Sequence, residues 1–349
     1  MKLAIISDDL TGALDSAVVF AARGLRTIVA ITGKDFGEAL DAGADIVAVS
    51  LNTREGKESD AVRKISEAAN LVPQGIDVFK KIDSRMKGHV VAETEALARA
   101  TNIHQVLLCP AIPAMNRFVL DRKVSGAGIA EPIDLVKAID AAINRDLWAI
   151  HDAKTADDLD AIVSAAKFGT MLCGARGLAE ALARKLAPFA PADAFQTGHL
   201  PHPILFAIGS RDPITLAQVH KLREVAPDMA FEEAPNGIYS GQQVSAGDMI
   251  FQSVQGDEDI ASAEVTKYFA DSVSTIAAFG RATLFLTGGE TAAGSLSRLG
   301  IGVLEIIGEP LEGVPSSLPL GKSAPVIVTK SGGFGSTDAL VQLAGLSTN

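Results

Sequence analysis

Only two cysteines occur in 349 residues, Cys109 and Cys173, each closing an apolar run. Two isolated thiols cannot build a disulfide framework or a zinc-type Cys/His cluster, so both read as buried free thiols. Long apolar stretches are missing too, and none could span a membrane without interruption by Gly, Pro or charge. Met1 and Lys2 lead directly into a strand-like run, Leu3 to Ile6, which leaves no room for a secretory leader and makes the cytoplasm the expected compartment. Blocks of like charge, short-period repeats and low-complexity tracts are absent. With a net charge of −11 and basic and acidic residues interleaved, a nucleic-acid-binding surface is excluded, and no membrane partner is expected.

What is present is a chain of 48% hydrophobic residues, long enough for two well-filled cores. Short runs rich in Val and Ile alternate with amphipathic helical stretches: Leu3 to Ile6, Thr27 to Ile31, Ile46 to Val49, Val78 to Ile82, Val106 to Cys109, Leu147 to Ile150 and Thr170 to Cys173. That alternation predicts an α/β fold of two domains, each a mainly parallel sheet with helices on both faces. Four prolines between Leu186 and Pro203 mark a linker over residues 188–203, dividing residues 1–187 from residues 204–349. After it the pattern resumes with Ile204 to Ile208, Met249 to Val254, Thr283 to Leu286, Val303 to Ile307 and Val326 to Thr329.

In a generally acidic protein, an anionic ligand must be held by donors gathered at one place. Ligands in open parallel sheets bind beyond the carboxyl ends of the strands, which directs attention to the residues that follow each run. The first run ends in Ser7, Asp8, Asp9, and a helix follows. Either one acid caps that helix and the other meets solvent, or one of them binds or deprotonates a substrate hydroxyl. The fourth run leads to Asp83, Ser84, Arg85, Met86, Lys87 and Gly88, where a hydroxyl, two cations and a glycine meet at a strand-to-helix turn suited to a carboxylate or phosphate. A proline-stiffened loop after Cys109 delivers Arg117. Asp152 or Thr155 reads as a helix cap, and His151 as structural.

Glycine turns follow further strands. They are Gly174 to Gly177; Gly209, Ser210, Arg211, Asp212; Gly288, Gly289, Glu290, Thr291; and Ser331, Gly332, Gly333, Phe334, Gly335. Glycine lets backbone amides approach a phosphate, and Glu290 could hold Mg²⁺. Standard nucleotide fingerprints fail: Glu131 replaces the third glycine after Gly126 and Gly128, and Gly321, Lys322, Ser323 is followed by a strand.

The ordered series Ser7 to Ala13, Lys81 to Ser84 with Gly88, Cys109 to Ala111, Gly209 and Ser210, Gly288 to Thr291, and Ser331 to Gly335 resembles the four-carbon acid sugar kinases. The resemblance spans nearly the whole chain. It implies an N-terminal domain that binds a small sugar acid and a C-terminal domain that binds ATP, with phosphate passed to the terminal hydroxyl of threonate, erythronate or an oxo-tetronate. Asp9 and Asp8 would then be catalytic, and Ser84, Arg85, Lys87, Gly88 and Arg117 would face the sugar acid. Gly209, Ser210, Gly288, Gly289, Glu290, Thr291 and residues Ser331 to Gly335 would face ATP and Mg²⁺. Where the family usually continues Asp-Ser with Thr-Leu-Arg-Gly, this chain has Arg85, Met86, Lys87 before Gly88, so the carboxylate clamp is rebuilt. A kinase for a different hydroxy acid, or a non-catalytic sugar-acid-binding regulator, are the alternatives. A homodimer is compatible with any of them.

Overall fold

The computed structural model describes residues 1–167, 169–189, 199–241 and 244–347. They fall into two compact units, Met1–Ala194 and Phe195–Asn349. The linker expected over residues 188–203 lies largely on residues 190–198, outside the described residues.

The first unit runs β1 (Leu3–Ser7), α1 (Leu10–Ala21), β2 (Thr27–Ala30), α2 (Phe36–Asp41), β3 (Ile46–Ser50), α3 (Glu58–Leu71), β4 (Asp77–Lys81), α4 (Val90–Ala100), β5 (Gln105–Cys109), β6 (Arg117–Leu120), β7 (Lys123–Gly126), β8 (Ile133–Asp134), α5 (Leu135–Ala138), β9 (Trp148–Ile150), α6 (Ala156–Ala165), β10 (Thr170–Gly174) and α7 (Arg176–Leu186). Its main sheet has the order β2-β3-β1-β4-β10-β5-β9 with every pairing parallel. Burial on both faces explains why β1 and β3 are apolar without alternation: Leu3 to Ile6 and Ile46 to Val49 are all buried. Helices α1, α7 and α6 pack side by side, as do α3 and α4, giving the two covering layers.

A separate antiparallel sheet, β6-β7-β8, was not expected from the sequence. Its hairpin turns through Asp121 and Arg122 at φ 48° and 57°, the left-handed geometry that two-residue hairpins need. Without the usual Asn-Gly or Asp-Gly pair the turn leaves little trace in the sequence. Asp152 supplies the missing stabilisation by accepting from the Asp121 and Arg122 amides at 2.8 and 2.9 Å. Thr155 caps α6 in a reciprocal box with Asp158, as expected.

The second unit runs β11 (Ile204–Ile208), α8 (Pro213–Val225), β12 (Ala230–Pro235), β13 (Met249–Val254), α9 (Ser262–Ala277), β14 (Thr283–Thr287), α10 (Gly289–Arg298), β15 (Val303–Leu311), β16 (Val314–Pro319), β17 (Val326–Lys330) and α11 (Ala339–Leu343). Strands β12-β13-β11-β14-β17 are parallel, and β16 and β15 extend the sheet in antiparallel fashion. The α/β class with mainly parallel sheets is therefore as expected. Cys109 and Cys173 are buried free thiols in the first unit, and burial raises both to about 12. Among the described residues, no helix is long and apolar enough to cross a membrane.

The core of the second unit is aromatic at its centre. Phe206 and Phe285 meet at 5.5 Å between ring centroids, and Phe251 stacks on Phe269 at 5.1 Å. Phe251 is fully buried, so its removal leaves a cavity as well as a lost stacking contact. Phe251→Ala is expected to lower unfolding free energy by about 3–5 kcal/mol in urea titration.

Candidate functional site

Two clusters form, one in each unit, and both obey the same topological rule. In the first unit the chain leaves β1 toward β2 and β3 on one side and β4 on the other, which makes the carboxyl ends of β1 and β4 the switch point. Asp8 and Asp9 follow β1, while Asp83 and Ser84 follow β4.

Asp9 caps α1: its Oδ1 accepts from the Gly12 amide at 3.0 Å and its Oδ2 from Thr11 Oγ1 at 2.7 Å. Asp8 does not face solvent. Both carboxylates instead grip one residue that sequence reasoning missed, Arg54. Its Nε and Nη2 donate to Asp8 at 2.7 and 3.0 Å, and its Nη1 and Nη2 donate to Asp9 at 3.0 and 2.9 Å. Asp83 stands 3.8 Å away. Arg54 lies just beyond β3, the parallel neighbour of β1, and its loop is tied to β1 by the Thr53 amide donating to the Asp8 carbonyl at 2.9 Å. The one available signal was that position, a cation at the carboxyl end of a strand adjacent to the acidic pair.

Burial alone would push the Asp8 carboxyl up, but the Arg54 guanidinium, helped by Lys80 and Lys81, outweighs it and holds Asp8 below the usual carboxylate range. Beneath it, Lys80 is fully buried and paired with buried Glu93 at 2.7 Å. Burial would lower its ammonium, yet Glu93 and Asp8 together raise it. Two glycines make room for this charge cluster. A side chain at Gly12 would strike Asp9 Oδ1 and Lys81 Nζ, and one at Gly88, whose φ is +83°, would sit 3.3 Å from Asp8 Oδ2.

Ser84 and Arg117 come together, Arg117 Nη1 donating to Ser84 Oγ. Nη2 and Nε of Arg117 donate to the Ala127 carbonyl at 2.7 and 3.1 Å. Burial and then nearby Arg85 lower the Arg117 pKa, though a guanidinium stays charged. Arg85 is exposed, with its amide on Asp83 Oδ1 at 2.8 Å. Lys87 is exposed and, among the described residues, has no hydrogen bond or ion pair.

In the second unit the switch point lies between β11 and β14. The turns after β11, β14 and the adjacent β17 converge there. A Cβ on Gly209 would fall within 2.1 Å of Thr291 Oγ1, and one on Gly332 within 2.3 Å of Ser210 Oγ. Gly288 holds φ +94° as the N-cap of α10, and Asp212 caps α8 by accepting from the Ile214 amide at 2.9 Å. A pocket of about 400 Å³ opens beside two of these turns, lined by Gly209, Arg211, Gly288 to Thr291, Glu258 and Asp259 among others. The third turn, Ser331 to Gly335, borders Ser210 and Asp212. Glu290 is exposed at this pocket, and among the described residues no group of three or more His, Cys, Asp or Glu gathers to hold a metal. The Gly174 to Gly177 turn belongs to the first unit and is structural. Its glycines admit the carbonyls of Cys109 and Ala111, and Arg176 pairs with Asp15 and Glu180 at 3.0 and 2.7 Å.

Residues 3–131 match the family described as Sugar-binding N-terminal domain, and residues 205–340 the one described as Nucleotide-binding C-terminal domain. A D-threonate kinase of Cupriavidus necator is 30% identical over 410 aligned positions covering 97% of this chain and 96% of that protein. The chain belongs to the four-carbon acid sugar kinase family. Other family relatives are a D-threonate kinase of Bordetella bronchiseptica and a 3-oxo-tetronate kinase of Pseudomonas fluorescens, each 26% identical over 98% of this chain and 96% and 97% of those proteins. The alignment to the Cupriavidus protein is longer than this chain, so that kinase carries insertions absent here. Crystal structures from Salmonella typhimurium LT2 and Haemophilus influenzae share the fold. Their TM-scores are 0.75 and 0.72 at 20% identity, over 98% of this chain and 98% and 99% of theirs.

The low Asp8 pKa has a consequence for stability. A carboxyl whose folded pKa lies below its unfolded value of about 3.8 stabilises the fold above that value and loses this contribution as the pH falls further. The difference in melting temperature between the wild type and Asp8→Asn is expected to shrink as the pH is lowered through 4 to 2. A constant difference would contradict the ion pairing.

Proposed function

We propose that this protein is an ATP-dependent kinase that phosphorylates the terminal hydroxyl of a four-carbon sugar acid of the threonate, erythronate or oxo-tetronate type. The observation that carries the reading is the pairing of two dissimilar switch-point clusters. Charged side chains gather in the segment that matches a sugar-binding domain, and glycine turns gather in the segment that matches a nucleotide-binding domain.

In this reading residues 1–187 bind the sugar acid and residues 204–349 bind ATP. Arg117, held by Ser84 and Ala127, presents a fixed cation for the substrate carboxylate, and exposed Arg85 adds a second. Lys87 extends the positive rim. Asp8 and Asp9 orient the attacking hydroxyl. Each Asp9 oxygen already accepts two hydrogen bonds, from Arg54 and from Gly12 or Thr11. Each Asp8 oxygen accepts one, from Arg54. Asp8 thus keeps acceptor capacity, and the absent side chain of Gly88 opens space beside its Oδ2. That geometry favours Asp8 as the hydroxyl's acceptor and Asp9 as the residue that fixes Arg54, a refinement of the sequence reading that put Asp9 first.

Phosphoryl transfer passes through a loose transition state in which positioning and charge neutralisation dominate, so a strongly basic carboxylate is not needed. The hydroxyl oxygen bonds to the γ-phosphorus, the bond to the β-phosphate oxygen breaks, and ADP leaves while the hydroxyl proton passes to the aspartate. Glu290, the exposed carboxylate beside the pocket, would hold Mg²⁺ together with phosphate oxygens and water, the usual sharing for this ion. When bound, Mg²⁺ supplies charge neutralisation on the transferring phosphate.

ADP release in the presence of four-carbon sugar acids, with and without Mg²⁺, tests the activity. Asp8→Asn and Asp9→Asn are each expected to reduce kcat on the order of 100-fold or more while ATP affinity stays within a few-fold. Full turnover in Asp8→Asn would overturn the assignment, and ATP binding without phosphorylation of any such acid would overturn the substrate class.

A further inference from the structure

Lys330 is the last residue of β17, and its side chain is fully buried. Its Nζ donates to the carbonyl oxygens of Ser331 at 2.9 Å, Gly332 at 3.2 Å and Phe334 at 3.0 Å, with Thr215 Oγ1 at 3.4 Å. Two side chains of α8 reinforce the arrangement. Thr215 Oγ1 donates to the Gly332 carbonyl at 2.6 Å, and Gln218 Nε2 donates to the carbonyls of Phe334 and Ser336 at 2.9 and 2.8 Å. Three carbonyls of one short loop are therefore drawn inward onto a single cation.

A trans peptide is planar, with its C=O and N–H on opposite sides. Pinning the carbonyls of Ser331, Gly332 and Phe334 inward turns the next N–H groups outward, those of Gly332, Gly333 and Gly335. Among the described residues, none of these three amides donates a hydrogen bond. Their outward direction is what a concave backbone anion site requires. Burying the cation opposes its charged form: burial lowers Lys330 to about 8, with the Asp212 carboxylate acting the other way. A group held under that penalty satisfies a specific geometric demand.

We infer that Lys330 is a positioning residue for the nucleotide, holding the Ser331 to Gly335 loop with its carbonyls inward so that the Gly332, Gly333 and Gly335 amides face a phosphate group. It acts through the backbone and does not itself touch phosphate. The inference rests on the ATP-dependent reading above.

Calorimetric titration of wild type, Lys330→Met and Gln218→Met with ATP and with adenosine tests it. Lys330→Met is expected to weaken ATP binding on the order of tenfold or more and to leave adenosine binding unchanged. Gln218→Met, which frees the Ser336 carbonyl and leaves the Phe334 carbonyl to Lys330 alone, is expected to shift ATP affinity in the same direction by less. Unchanged ATP affinity in the variants, or parallel loss for ATP and adenosine, overturns the inference. If Lys330→Met does not fold, Gln218→Met decides it alone by the same criteria. A wild type that binds no ATP would instead overturn the kinase reading.

Discussion

The Arg54 guanidinium, shared between Asp8 and Asp9, is the interaction around which the first unit's site is organised. Two adjacent carboxylates at the end of a buried strand would repel each other and resist burial. A planar fork with several donors in fixed directions satisfies both at once, which a lysine could not do. Everything nearby follows from accommodating that fork. The Arg54 loop is bonded to the Asp8 carbonyl, Gly12 and Gly88 leave space for the charged atoms, and Lys80 with Glu93 forms a second, fully buried pair below. Breaking one partner of such a pair leaves a buried charge uncompensated, so these residues stand or fall together.

The second unit's cluster is built by different means. Glycine turns converge there, with side chains such as Thr215 and Gln218 turned inward to hold the loops. In the proposed reading, side-chain charge suits the first site because a small acid needs directional recognition of its carboxylate and hydroxyls, and backbone dipoles suit the second because a polyphosphate is met along its length.

The α/β class, most strand positions and the turns that gather at the two switch points were legible because parallel strands buried on both faces leave continuous Val and Ile runs, and because polar residues collect just after them. Asp8, Asp9, Ser84, Arg117 and the glycine turns were found this way. Arg54 was not, since the residues between β3 and α3 look like an ordinary charged loop and the partnership with Asp8 spans 46 positions. Lys330 was passed over for the opposite reason, as the end of an apolar strand whose burial no sequence pattern announces. The β6-β7-β8 sheet escaped notice because its short strands carry charge and its turn draws on Asp152, 30 and 31 positions away. For Arg54 and the small sheet the missing information was a long-range contact.

Arg117 is the first residue of that small sheet rather than part of the seven-stranded one. The sheet is anchored at its far turn by Asp152, near the carboxyl end of β9. Arg117 and the Asp8 and Asp9 pair are consequently carried by separate sheets. Lengthening, shortening or re-angling the hairpin would move Arg117 relative to Asp8 without disturbing the parallel core. In the proposed reading the first unit thus contains an adjustable ruler for the length of an acid, with one end fixed at the sheet and the other set by a hairpin.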